Sequence, residues 1–268
     1  MLHMNEEKSP VRAIAKGIWP LLVYLVVYEA AAEVLSLGLQ QLLQAGSIQV
    51  KNWILSSGGD VSALVTALAM TAGFFAVSQM ARRDVDCSLR ICCRTEEAWV
   101  FALGSAALAL AFNVFLTLSG LTAASGAGEQ SGTVSLLLGI LVYGLLSPAI
   151  EETVFRGLVY GQLRRVPALR RSGAMLLSSL LFALYHGNAA QGIYAFCMGV
   201  LFCLFLEETG SLPAAALLHG AVNVIVLFLT QSGVYALLCT TVWMICLAGI
   251  AVCCGIFLWM KWGRGRRI

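Results

Sequence analysis

The sequence has few charged residues and lacks several common signatures of soluble or metal-binding proteins. Only 12% of its 268 residues are Asp, Glu, Lys or Arg, whereas 59% are hydrophobic and the mean hydropathy is +0.85. This composition excludes an ordinary soluble globular domain. The nine cysteines include no Cys-x-x-Cys pair, and the His-Glu-x-x-His helix of classical zinc proteases is absent. There is also no repeat of the 20–50 residues that builds a solenoid or propeller.

Long apolar runs fill most of the chain, and they approach the ~20 residues that cross a bilayer as a helix. We predict eight membrane spans at about 17–37, 61–80, 97–119, 133–150 (continuing to about 163), 172–188, 190–207, 211–230 and 233–260. The predicted fold is therefore all-α, a polytopic integral membrane bundle of about eight transmembrane helices. We expect a single membrane domain over residues 1–268.

Basic residues are nearly absent from every second connection between these spans. The connections at about 120–132, 187–190 and 231–233 contain no Lys or Arg, and 46–60 contains only Lys51. The N-terminus, the alternate connections and the C-terminus carry the basic clusters instead. This asymmetry predicts eight spans in the cell (plasma) membrane with both termini cytoplasmic. Because the clusters are explained as topology signals, nucleic acid is not an expected partner.

A cleavable signal peptide is the alternative interpretation of the N-terminus. Residues 18–28 would be its apolar region and residues 30–32 its small-residue site. Because apolar sequence continues through residues 35–39, we favour a retained span. Removal would leave seven spans in the same orientation.

Ionisable residues are placed inside the fourth predicted span, where they are costly and therefore candidates for function. Glu152 and Arg156 are four residues apart, so they share a helix face in the order that favours an ion pair. Glu151 points elsewhere and has no local counter-ion. We therefore expect Glu152 to be structural and Glu151 to act as a general base.

Two further spans carry polar residues with the same four-residue spacing. Phe182 precedes His186 by one helical turn, and Asn223 follows His219 by one turn. At 1.5 Å per residue, Glu151 and His186 lie roughly 20 Å from the cytoplasmic ends of their spans and His219 roughly 10 Å. A lone intramembrane histidine is usually a packing residue, and a lone Glu–Arg pair is usually structural. Taken together, the groups predict one shared, water-filled reactive site.

These residues resemble the CPBP family, which comprises type II CAAX prenyl endopeptidases and related bacterial bacteriocin-processing or immunity proteins. The chain reads Glu151-Glu152-Thr-Val-Phe-Arg156, then Phe182-Ala-Leu-Tyr-His186, then His219-Gly-Ala-Val-Asn223. The three motifs are complete and in the family's order. The resemblance covers about 144–225, the expected catalytic core, whereas the first 130 residues are similar only in hydropathy.

The resemblance implies peptide-bond hydrolysis inside the membrane, in a cavity open to the cytoplasmic side. It implies that Glu151 and His186 activate water and that His219 and Asn223 hold the oxyanion. Glu152, Arg156 and Phe182 would support the site. We favour metal-free chemistry, with zinc as the alternative and Glu151, His186 and His219 as its ligands. The expected partners are the lipid bilayer and a hydrophobic or lipidated peptide or protein: a CAAX-type protein, or a bacteriocin or pheromone precursor.

Two other functions remain open from the sequence. A non-catalytic immunity or binding protein would keep the same residues as a buried network. A proton-coupled transporter would use Glu151 and the histidines as a relay, although no inverted repeat supports that reading. Glu29 and Glu33, four apart on the first span, either line the cavity or lie at a membrane boundary.

Overall fold

The computed structural model describes residues 10–84, 97–121 and 134–265, and these are almost entirely helical. The helices are α1 (Pro10–Ala45), α2 (Ile48–Ser56), α3 (Gly58–Asp84), α4 (Ala98–Leu118), α5 (Leu136–Leu163), α6 (Arg170–Tyr185), α7 (Ala189–Thr209), α8 (Leu212–Gln231), α9 (Val234–Leu238) and α10 (Thr241–Gly265). A 3₁₀ turn at Pro167–Leu169 precedes α6.

Seven of the helices in the described ranges are long and apolar enough to cross a membrane, namely α1, α3, α4, α5, α7, α8 and α10. The other predicted span, 172–188, corresponds to α6, which has 16 residues. Helix α6 is short because Gly187, at φ +73°, turns the chain and Asn188 then caps α7. The all-α membrane bundle of about eight spans is confirmed.

The helix ends differ from the predictions at both termini of the chain. Helix α1 extends well beyond the predicted 17–37, and the predicted last span, 233–260, is divided into α9 and α10. The division falls at Cys239, whose ψ of 59° is not helical. Hydropathy detects apolar runs but not such local changes of backbone direction.

Helix α5 lies at the centre of the bundle. It packs against α1, α3, α6, α7 and α8, while α4 pairs with α10. In its second half Val154, Phe155, Leu158, Val159 and Leu163 are completely buried. This buried half of α5 can hold ionisable side chains away from lipid, and it carries both glutamates of the predicted site.

Candidate active site

Glu151 and Glu152 occupy a short α-helical segment between two π-helical stretches of α5. The stretches are Ile140–Leu146 and Thr153–Tyr160, and the N–H of Ser147 donates to the carbonyl five residues back, at Val142. Pro148 lies in the segment between them and supplies no backbone N–H. Wide helical turns re-aim side chains and often accompany functional sites. Both glutamates are buried.

Glu152 contacts two other motif residues, Arg156 and His219. Its Oε1 lies 3.0 Å from Arg156 Nη1 and 2.9 Å from His219 Nδ1. The ion pair with Arg156 is the predicted one, while the bond to His219 was not predicted. Because an ionised carboxylate only accepts, the Nδ1 of His219 carries the hydrogen and donates it. Glu152 therefore fixes the orientation of the His219 ring.

Glu151 faces the opposite edge of the same imidazole. Its Oε2 lies 3.8 Å from His219 Nε2, too long for a direct hydrogen bond. His219 thus lies between the two glutamates, anchored by Glu152 and presenting Nε2 toward Glu151. The adjacent acids occupy different environments, since Arg156 forms its ion pair with Glu152.

Aromatic rings enclose the imidazole and the guanidinium. Phe202 stacks on His219 at 4.6 Å between ring centroids, and Phe182 meets His186 edge-on at 4.7 Å. The Arg156 guanidinium carbon lies 4.3 Å from the centre of the Phe182 ring and 5.3 Å from that of Phe202. Phe182 had been singled out in the sequence, but Phe202 had not. The two rings shield the Arg156–Glu152 pair and stabilise its cation.

His186 and Asn223 are each held by a backbone carbonyl. The Nδ1 of His186 lies 2.8 Å from the carbonyl oxygen of Phe182, so Nδ1 donates and Nε2 is left as an acceptor when the ring is neutral. The Nδ2 of Asn223 donates to the carbonyl of Tyr143 at 3.0 Å. The second hydrogen on that amide remains for another acceptor.

Helices α5 and α8 approach each other most closely at two glycines, Gly144 and Gly220. A Cβ atom on Gly220 would collide with the carbonyl oxygen of Gly144, and one on Gly144 would come within 2.5 Å of Val224. Only glycine allows two backbones to approach so closely. Since Gly220 directly follows His219, this contact determines how near His219 comes to the glutamates.

All four predicted catalytic residues line one cavity of about 370 Å³. Its lining is polar and aromatic, and it includes Tyr28, Thr66, Met70, Tyr143, Ser147, Glu151, Phe182, Tyr185, His186, Gln191, Tyr194, Ala195, Met198, Phe202, His219 and Asn223. Arg156 and Glu152 lie outside the lining, behind the phenylalanines. The structure therefore brings together Glu151, His186, His219 and Asn223, and leaves the Glu152–Arg156 pair as support.

A tyrosine cluster forms a wall of the cavity that the sequence analysis missed. The rings of Tyr24, Tyr28 and Tyr185 have centroids 6.0 to 6.1 Å apart, and Tyr185 also meets His186 at 5.6 Å. Tyr185 could have been suspected, because it precedes a motif histidine. Tyr28 carried no signal, since it comes from α1. Glu29 and Glu33 are exposed and are not part of the lining.

The donor set does not fit a metal ion as it is arranged. In the described ranges no three His, Cys, Asp or Glu side chains form a group able to hold one. The candidate ligands Glu151, His186 and His219 do not form such a group, although the Nδ1 bonds of the two histidines leave both Nε2 atoms free. A catalytic zinc site needs three protein ligands and an open position. We therefore derive no step through a metal.

One family model matches the part of the chain that contains this site. Residues 133–225 match the family model described as Type II CAAX prenyl endopeptidase Rce1-like. The matched stretch contains all seven predicted site residues and confirms the resemblance to the CPBP family. Neither the curated proteins nor the solved structures returned a match to the chain.

Proposed function

We propose that this chain, whose residues 133–225 form an Rce1-like domain of a family of intramembrane proteases, is an active endopeptidase that uses Glu151 and histidine to activate water. The observation that carries the proposal is the convergence of Glu151, His186, His219 and Asn223 on one cavity within the membrane helices. Two imidazoles, a carboxylate outside the ion pair with Arg156 and an amide are sufficient for hydrolysis.

The reaction begins with a water in the cavity. Glu151, assisted by the free Nε2 of His186, removes a proton from this water. At the same time the water oxygen attacks the carbonyl carbon of the peptide. The negative charge then moves to the carbonyl oxygen. A protonated His219 and the free N–H of Asn223 donate hydrogen bonds to that oxygen. The C–N bond breaks as the proton held by Glu151 passes to the leaving amine.

Glu152 and Arg156 act indirectly in this scheme. The carboxylate of Glu152 accepts from His219 Nδ1 and so stabilises the imidazolium form that donates through Nε2. The Nη1 of Arg156 lies 3.0 Å from the same oxygen of Glu152 and holds that carboxylate in place. The same arrangement of an acid orienting a histidine is used in other hydrolases.

The residues that line the cavity also limit which class of substrate it can bind. No Lys or Arg is found among the described residues that line the cavity. A free C-terminal carboxylate would enter without a Lys or Arg counter-ion, whereas an internal peptide bond would meet Tyr, Thr and Gln hydrogen-bonding groups. Among the candidate substrates, this lining favours a hydrophobic peptide precursor or a membrane-protein segment over a CAAX terminus.

We place the enzyme in the plasma membrane with both termini cytoplasmic.

The proposal is tested by peptide cleavage with purified protein. Glu151→Gln is expected to lower kcat about 10²–10⁴-fold, the usual contribution of a general base. His186→Ala is expected to lower kcat as well. Glu29→Gln is the matched control, since Glu29 is exposed and away from the cavity. Equal cleavage by wild type and Glu151→Gln contradicts the mechanism. A separate experiment, chelator titration with metal analysis, decides whether a metal takes part.

A further inference from the structure

Among the described residues of α5, the backbone carbonyl of Tyr143 lies where the helix supplies it with no donor. An α-helical turn would pair this carbonyl with the N–H of residue 147, and a π-helical turn with that of residue 148. The N–H of Ser147 donates to Val142 instead, and Pro148 has no N–H. The Tyr143 carbonyl is therefore left to a donor from another helix.

Asn223 of α8 supplies that donor. Its Nδ2 lies 3.0 Å from the carbonyl oxygen of Tyr143. Since a carbonyl oxygen only accepts, the bond fixes which end of the carboxamide faces α5, and it leaves the second N–H of Nδ2 for the cavity that Asn223 lines. A backbone carbonyl inside the membrane is costly without a partner, so this bond also holds α5 and α8 together.

The carbonyl of Gly144 depends on residue 148 in a similar way. An α-helical turn would pair it with the N–H that Pro148 lacks. This carbonyl faces α8 as well, because a Cβ atom on Gly220 would collide with its oxygen. The same Cβ atom would lie 3.6 Å from Pro148 Cγ, so the ring of the buried proline packs beside Gly220. Both carbonyls that could have used an N–H at position 148 thus face the helix that carries His219 and Asn223.

We infer that Pro148 is a positioning residue of the active site, which acts on Asn223 through the carbonyl of Tyr143. Because Pro148 supplies no N–H, that carbonyl is left to the Asn223 amide, and the amide is held with its second N–H toward the oxyanion. The inference rests on the proposed function, in which Asn223 donates to the oxyanion. It assigns a contribution to catalysis to a residue outside the cavity lining.

Pro148→Ala restores the missing N–H and so tests the inference in the purified full-length protein. The new donor pairs with a carbonyl of α5, and the Asn223 amide is then free to turn away from the oxyanion. We expect kcat to fall about 10-fold to 10²-fold, the usual cost of a misplaced group, with KM unchanged because the oxyanion forms only after binding. Pro20→Ala is the matched control and should keep the wild-type kcat, since Pro20 is a buried proline inside α1 that does not line the cavity.

Lactic acid at position 148 separates the effect of the N–H from that of the side chain. It has the methyl group of alanine, but its ester link carries no N–H. We expect this variant to keep kcat close to that of wild type. A loss as large as that of Pro148→Ala overturns the inference. Where Pro148→Ala does not fold, a loss of about tenfold or more in the lactic acid variant overturns it as well.

A double-mutant cycle with Asn223→Ala shows whether Pro148 acts through Asn223. Pro148→Ala should lower kcat in the wild type but not in Asn223→Ala, which has already lost the oxyanion donor. In detergent, Asn223→Ala should lower the thermal midpoint less when combined with Pro148→Ala, because α5 then has its own donor for the carbonyl. Additive effects on kcat or on the midpoint overturn the inference. If the wild type cleaves no peptide, the proposed function fails, while the midpoints still decide whether Pro148 and Asn223 are linked.

Discussion

At the scale of single residues, the two adjacent glutamates have separate environments. Glu152 is fully buried and joined to Arg156 and His219, whereas Glu151 borders the cavity. Sequence spacing predicted the Glu152–Arg156 pair because both partners belong to one helix. It did not predict the bond from Glu152 to His219, since that contact depends on how α8 crosses α5.

Removal of Arg156 is expected to destabilise the fold. Arg156→Ala leaves Glu152 as a buried charge without a cation, at a cost of about 3–5 kcal/mol. The thermal midpoint in detergent and the folded yield should fall. Arg156→Ala combined with Glu152→Gln should recover part of the loss, because the stranded charge is gone. An unchanged midpoint in the single variant would refute the role of the pair.

Phe202 is expected to affect catalysis through its stack on His219. Phe202→Leu removes an aromatic contact of about 0.5–1.5 kcal/mol, which corresponds to a loss of about twofold to tenfold in kcat. Phe205→Leu is the matched control: Phe205 is buried on the same helix but packs on Phe101. The Phe205→Leu variant should lose stability but keep its kcat per folded molecule. The same kcat in both variants would show that the stack is only structural.

At the scale of helices, the predicted spans agree with the structure better in their centres than in their ends. Hydropathy located all eight apolar segments, because burial in lipid needs only apolar length. It could not reveal the two π-helical stretches of α5 or the break at Cys239, which depend on backbone hydrogen bonding. The close contact between Gly220 and Gly144 depends on how the two helices cross, so it was not identifiable from sequence.

The crossing of α5 and α8 provides a prediction for one glycine. Gly220→Ala places a methyl group against the Gly144 carbonyl, so α8 must shift and carry His219 with it. We expect a loss of about 1–3 kcal/mol in stability from overpacking, with a larger loss of activity. Gly249→Ala in α10, where a Cβ meets nothing within 4 Å, should have neither effect. Full activity of Gly220→Ala would contradict the assigned crossing.

At the scale of the whole molecule, residues N-terminal to the family match complete the cavity. Tyr28 of α1 and Thr66 and Met70 of α3 line it, although the match begins at residue 133. Nothing in the sequence connects these residues with the motifs, because the first 130 residues resemble the family only in hydropathy. Tertiary packing alone brings them to the site.

A large side chain at Thr66 is therefore expected to obstruct the cavity. Thr66→Trp fills space beside the catalytic groups without altering them, so peptide cleavage should fall while the protein stays folded. Leu64→Trp introduces the same side chain two residues away, at a position 44% exposed, and should cleave normally. Equal activities, measured with one peptide at several concentrations, would mean that α3 does not border the substrate.

The most direct test of hydrolysis at Glu151 is mass spectrometry of a peptide cut in ¹⁸O-labelled water. Wild-type protein should produce a new C-terminal carboxylate carrying ¹⁸O from the solvent, and Glu151→Gln should produce almost none in the same time. Equal yields of labelled product from both proteins would contradict the account.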